Sequence, residues 1–481
     1  MSEIIVDFHC HPTMKPFGRS FENKGEHHLS LKKKNNIWHR DRAGFFEKVV
    51  ERVATITPFT QSDFSSLTMG NVRTICCALY PPEKGFFDNK LGTGHLSDHT
   101  TNLVTGLGER RINFIQKNKS YFKDLINEYA FLKKLDGKIF TLDNQKWKYK
   151  IAKNYNDIRA AKEDKTCNTI IVIASIEGAH RFDCGIDPQK NPANNRTAAI
   201  LKMVDEVKAW EHKPMFITFT HHFYNELSGH APSLTGMIGS AFNQIKGINT
   251  GITALGYQVI DRLLDNSNGK RILIDIKHLS AKARQDYFKH LEKNYKNEDI
   301  PLLVSHGAVT GLKKSGSKEE MIKGASNQFR AEDINFYDEE ILRIQSSGGL
   351  FCLQTDERRI ASTATLKQVN GAVLSGKVKK KSAQLVWNQI RHIAELLDAH
   401  GQFAWGIQAL GTDYDGIINP IEGYLAADDL ADLDPYLQIH AEKYMSGPNK
   451  MKNSFNKIDP EEIVDRVLNV NALTFLQKHF I

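Results

Sequence analysis

Eight short apolar runs punctuate the chain, at 4–8, 72–79, 169–176, 215–220, 271–276, 301–306, 349–353 and 404–410, and none keeps a regular polar alternation. Between most of them the apolar residues recur at helical spacing, as at Phe45, Val49, Val50 and Val53, and over 109–135, 198–210, 255–264, 281–293, 336–345, 385–399 and 460–479. Strands without alternation are buried on both faces, as in a parallel sheet sheathed by helices. Eight β/α repeats that close on themselves describe an α/β fold, the (β/α)8 TIM barrel. An open doubly wound sheet is the alternative, but no glycine-rich phosphate turn follows any run. Two polar stretches fit neither pattern. The segment 15–40 reads as a long loop after the first strand, and 83–107 as a loop after the second, which the helix at 109–135 extends to form an elaboration over 83–135. A barrel with insertions absorbs 481 residues as one domain, 1–481.

The ends of the runs carry the chemistry. The first stops at His9-Cys10-His11-Pro12. In an extended segment residues i and i+2 point the same way, so two imidazoles face one side and make half a site for a divalent transition metal. Later runs end at or beside Glu177, His221, His278, His306 and Asp413. Six of eight strand ends therefore carry a metal-binding or acid–base side chain, and in a barrel those ends converge on the face that holds active sites. A carboxylate can bridge two cations while imidazoles complete their coordination, and an aspartate beside them can take a proton from water and pass it to a leaving amine. The plain alternative for any one histidine is a satisfied core residue. His222 reads as an outer or surface neighbour, His180 as a loop residue, and His27, His28 and His39 as solvated. In Asp413-Tyr414-Asp415-Gly416 either carboxylate can face the site; Asp413 lies nearer the strand end, while Asp415 suits a turn.

Composition narrows the classes. Lys and Arg outnumber Asp and Glu by 64 to 56, a net charge of +8 that is modest at this length. The basic runs Lys32-Lys33-Lys34 and 377–381 lack interleaved aromatics, so they read as solvated loops and nucleic-acid binding is not expected. No stretch approaches the roughly 20 apolar residues of a membrane span, and no secretory signal opens the sequence. Six scattered cysteines without a CxxC pattern point to a reduced, cytoplasmic protein. A small-molecule substrate is expected, with a homo-oligomer as an open possibility.

Several stretches carry a family likeness: 175–180 (SIEGAH), 217–221 (ITFTH), 274–280 (IDIKHLS), 301–306 (PLLVSH) and 410–416 (LGTDYDG), with weaker matches at 251–256 and 468–473. Together they resemble the membrane dipeptidase (renal dipeptidase) family, amidohydrolase-like metallopeptidases built on a TIM barrel. The resemblance implies two divalent ions, expected to be zinc, with Glu177 bridging them. It implies His278 and His306 at one ion, His9 and the residue two places later at the other, His221 at the substrate, and Asp413 as the proton carrier. Two departures stand out. The family's His-x-Asp is His9-x-His11 here, which exchanges an anionic ligand for a neutral one. The family's Arg-Asn pair, whose arginine grips the substrate carboxylate, is Ile334-Asn335, and the nearest arginine is Arg330. Isoleucine does not replace a bidentate clamp. The expectation is a dinuclear hydrolase that cleaves a dipeptide or related amide, with Arg330 and Asn335 at the substrate. The alternatives are an amidohydrolase for another C–N or ester bond, or a metal-binding barrel without turnover.

Overall fold

A computed structural model describes residues 4–41, 44, 57–87, 101–103, 105–234, 242–267, 270–370, 377–448 and 451–481. The helix expected around Phe45 to Val53 lies outside the described residues. All eight apolar runs form strands: β1 (Ile5–Cys10), β2 (Val72–Leu79), β5 (Asn168–Glu177), β6 (Phe216–Thr218), β7 (Leu273–Asp275), β8 (Leu303–Gly307), β9 (Leu350–Leu353) and β10 (Gln408–Leu410). Two more, β3 (Phe140–Leu142) and β4 (Gln145–Ile151), form an antiparallel hairpin. It turns at Asp143 and Asn144, both at positive φ, as a tight two-residue hairpin loop requires. The strand order is β2-β1-β10-β9-β8-β7-β6-β5-β4-β3, and β2 also pairs with β5. Eight strands thus close as a (β/α)8 barrel, with the hairpin extending the sheet outward from β5.

By internal contacts the chain divides into two units. The first comprises residues 1–10, 61–75 and 301–481. In it β1, β10, β9 and β8 pair in parallel, with Asp7 opposite Leu410, Leu410 opposite Leu353, and Leu303 opposite Leu350. Every residue of β1 is buried, as expected for a strand covered on both faces. The closing helical segment starts with Pro460 behind the N-cap Asp459, passes through a π turn at Arg466–Val470, and continues as Asn471–His479. From its buried start Asn471 donates to the carbonyls of Trp405 and Gln408, tying this helix to the entry of β10. The lysines at 377–381 are not a solvated loop. They begin the 22-residue helix Val378–Ala399, and Lys379 bonds Asp429 and Asp432.

The second unit comprises 11–60 and 76–300. Here β7, β6, β5 and β4 run parallel, and β3 pairs antiparallel with β4. The polar stretch after β1 is partly ordered into the helix Met14–Ser20, which buries Met14 and Phe17. The long helix expected over 109–135 is two, Glu109–Lys117 and Tyr121–Lys133. The break occurs at Asn118, whose side chain accepts from Ser120, and Ser120 then N-caps the second helix through Lys123. His27 is not solvated: its ring stacks on Phe131 at 3.5 Å between centroids.

A buried ion pair joins these added helices. Arg111 and Asp124 form two parallel hydrogen bonds of 2.7 and 2.8 Å, and the guanidinium lies 4.9 Å from the Phe17 ring centroid and 4.8 Å from that of Phe21. Removing one partner of such a pair strands a charge in an apolar surround, at a cost of about 3–5 kcal/mol, whereas replacing both with apolar residues is nearly neutral. Arg111→Met should therefore lower stability to urea far more than the double variant Arg111→Met with Asp124→Leu. Equal losses in the two would show that packing, not pairing, holds this region.

Candidate metal centre

In the first unit β1 and β8 each bring one histidine against the turn after β10. His9 and His306 are buried, with ring centroids 3.9 Å apart. Ser305 Oγ lies 2.9 Å from His9 Nδ1 and 3.0 Å from His306 Nδ1, so a single hydroxyl orients both rings through the same nitrogen. Their Nε2 atoms then face Asp413, 3.9 Å from Oδ1 for His9 and 4.0 Å from Oδ2 for His306. These gaps exceed a hydrogen bond. They match the separation of roughly 3–4 Å between ligands that share an ion at bonds of about 2.0–2.2 Å.

Asp7 fixes the backbone beneath this cluster. It is fully buried in the apolar β1, accepts 2.6 and 2.9 Å bonds from the Thr412 hydroxyl and amide, and accepts from the His9 amide at 3.2 Å. Burial pushes its carboxyl up to about 6, against the lowering effect of those bonds. The turn that follows is strained: Asp413, Asp415 and Ile417 lie at φ +63°, +66° and +63°, which is costly above all for the β-branched isoleucine. Arg358, paired with Asp356, donates to the Ile417 carbonyl at 3.0 Å and holds the turn's far end. Asp415 points away from the histidines and accepts from the Gln61 and Ser62 amides and from Ser62 Oγ at 2.7–3.1 Å.

The second unit gathers its groups around Glu177, which ends β5 with 2% of its surface exposed. His11 Nε2 lies 3.2 Å from Glu177 Oε2, His221 Nε2 3.6 Å from Oε2, and His278 Nε2 3.7 Å from Oε1. A buried carboxylate with no partner is expensive, so three imidazoles beside it form a cation site or a site charged by protonation. Gly178 lets the chain turn there, at φ +89° and with no room for a Cβ against the His180 ring. Asp275 repeats the device of Asp7, accepting from Thr218 Oγ1 at 2.6 Å and from the amide two residues on, Lys277, at 3.1 Å. His278 takes φ +65°.

Behind His221 stands Glu83, which the strand-end reading passed over. Its Oε2 is 2.6 Å from His221 Nδ1 and accepts from Tyr80 at 2.9 Å, while Oε1 accepts from the Phe223 amide at 3.1 Å. Burial alone would raise its carboxyl, but His221, His180 and the hydrogen bond from His221 outweigh this and hold it well below the usual range. Glu83 falls just past Pro81-Pro82, four residues beyond the end of β2 at Leu79, so a strand-end search carried that far would have found it.

No family model and no curated protein matches the chain. Solved structures do. Dipeptidase AC, a metallo peptidase of family M19, is 13% identical over 100% of this chain and 99% of its own, with a TM-score of 0.51. A metallo peptidase from Rhodobacter sphaeroides, liganded with a phosphinate mimic of L-Ala-D-Ala, is 13% identical over the whole of both chains, also at 0.51. The fold is that of the M19 metallo-dipeptidases. At this identity the likeness speaks for the barrel and not for the substrate.

Within that barrel the remaining predicted residues are less central. Asn335 is fully buried and spends its amide on the carbonyls of Arg330 and Arg359, both at 2.9 Å. Arg330 is partly exposed, 3.8 Å from Glu332 and within 3.4 Å of Thr363 Oγ1. Ile334 is buried.

The two aspartates of the last strand end should separate by stability. Asn tolerates left-handed backbone, so amide variants isolate the carboxylates. In metal-free protein Asp415→Asn should cost about 1–3 kcal/mol through its buried charged hydrogen bonds, and Asp413→Asn less than about 0.5 kcal/mol. Chemical denaturation of both checks this, and a reversed order would mean that Asp413 is the structural residue.

Proposed function

We propose that the chain is a dinuclear metal-dependent hydrolase that cleaves a dipeptide or a related amide bond with activated water. The observation that carries this is the set of five imidazole–carboxylate separations of 3.2–4.0 Å around Glu177 and Asp413. His9, His11, Glu177, His278 and His306 are the residues that would hold the ions, as in the family this chain resembles. Divalent ions bound there, with zinc suited to such nitrogen and oxygen donors, would polarise a scissile carbonyl and make water acidic near neutral pH. Asp413 takes the water's proton on its carboxylate and hands it to the leaving amine. The family resemblance would give His221, steadied by Glu83, to the reacting carbonyl.

Arg330 is the residue we assign to the substrate's free carboxylate, with Asn335 holding its loop through the Arg330 carbonyl. A second reading, an amidohydrolase whose substrate lacks that carboxylate, draws support from Ile334, 1% exposed where the family's arginine would stand. All six cysteines are buried, and we place the protein in the reducing cytoplasm. No helix among the described residues is long and apolar enough to cross a membrane.

Metal analysis of purified protein should give two divalent ions per chain, and a panel of dipeptides, including ones with a C-terminal D-residue, should be hydrolysed. No cleavage by fully loaded protein would favour the second reading. Asp413→Asn should cut turnover by about 10²–10⁴-fold with metal content unchanged. Undiminished turnover would remove Asp413 from the chemistry.

A further inference from the structure

His222 has no part in the function proposed above, yet it stands in the second unit's cluster. His221, His222 and His278 each bring a ligating atom within 4.8 Å of the others. Their ring centroids lie 4.0, 4.6 and 5.0 Å apart. We infer that these three imidazoles form a site for one divalent transition ion, with Glu177 as its carboxylate, so that His221 is a metal ligand and not a substrate contact. The inference rests on the metallohydrolase reading and changes where one of its ions sits.

What lies behind the rings argues for this. A metal-binding imidazole characteristically gives its other nitrogen to a carboxylate, carbonyl or hydroxyl, which fixes the ring and the tautomer. His221 Nδ1 is held by the buried Glu83 at 2.6 Å, itself anchored by Tyr80 and the Phe223 amide. His222 Nδ1 is held by Ser233 Oγ at 2.5 Å. Gln244 locks that hydroxyl at 2.5 Å and also donates to the His222 carbonyl at 2.6 Å. Both rings are thus gripped by Nδ1 and present Nε2 as the ligand atom. Phe86 packs on His222 at 5.2 Å, but aromatic packing alone calls for no carboxylate or hydroxyl behind each ring. His221 Nε2 and His278 Nε2 also reach Glu177, at 3.6 Å to Oε2 and 3.7 Å to Oε1, which sets a carboxylate beside two of the three rings.

Such a set suits Zn²⁺ and its spectroscopic substitute Co²⁺. Tetrahedral ligands at about 2.0–2.1 Å from an ion lie roughly 3.3 Å apart.

The test is Co²⁺ binding to chelator-stripped full-length protein, read by ions per chain and by the visible absorption of the bound ion. His222→Ala should lose one ion per chain or bind it at least tenfold more weakly, with a changed spectrum. Ser233→Ala, which keeps the imidazole, and Glu83→Gln should each weaken the same ion by about tenfold or more. Thermal unfolding of the stripped forms shows which variants fold, and Ser233→Ala decides the matter where His222→Ala does not. Unchanged stoichiometry, affinity and spectrum in the folded variants overturn this site alone. A wild-type chain that binds no Co²⁺ overturns both this site and the dinuclear hydrolase.

Discussion

The constraint on which the rest depends is the burial of carboxylates at the ends of strands that are otherwise apolar. Glu177 closes β5 with almost no exposed surface, and Glu83 lies as deep beyond β2. A charge there is stable only when cations, imidazoles or strong donors surround it. The fold meets the need differently at each residue. Glu83 is saturated by a tyrosine, a histidine and a backbone amide. Glu177 faces His11 at 3.2 Å and two further imidazoles, His221 and His278, at 3.6 and 3.7 Å, beyond hydrogen-bond reach. Saturation makes Glu83 a positioner, while Glu177 is the carboxylate we propose as a ligand.

The supports of the two clusters follow one design. Asp7 in β1 and Asp275 in β7 are buried, each accepts from a threonine on or just past the neighbouring strand, and each accepts from the amide two residues on. The residue so held is His9 in one case, and Lys277, just before His278, in the other. A strand-borne aspartate therefore sets the point at which the chain leaves the sheet and aims the following histidine. The left-handed backbone of His278 and Asp413 fits this picture, since local strain persists only where surrounding bonds over-determine it.

Much of the scaffold could be read directly. A residue in a strand covered on both faces has no polar alternation, so the eight runs and their order were evident from hydropathy alone, and with them the barrel. The β3–β4 hairpin was not, for the opposite reason. Trp147, Tyr149 and Ile151 alternate with lysines, as befits a strand with one exposed face, and a search for unbroken apolar runs passes over it. The helix Met14–Ser20 was hidden because its burial depends on partners far along the sequence, such as Arg111 beside Phe17. The break at Asn118 was a local signal, an Asn and a Ser able to cap, masked by good helical spacing on either side.

The sequence by itself determined the fold class, the strands and the residue types at their ends, because burial pattern and strand-end position are both written in local order. It also determined that His11 and Ile334 stand where the resembled family has an aspartate and an arginine. Tertiary structure decided which polar groups meet. It gave Asp415 to the Gln61 and Ser62 amides and Asp413 to the histidines, set Glu83 behind His221, and brought His222 beside His278. Those pairings join residues tens to hundreds of positions apart. Hydrogen bonds and ion sites depend on separations of a few ångströms, which no periodicity along the chain encodes.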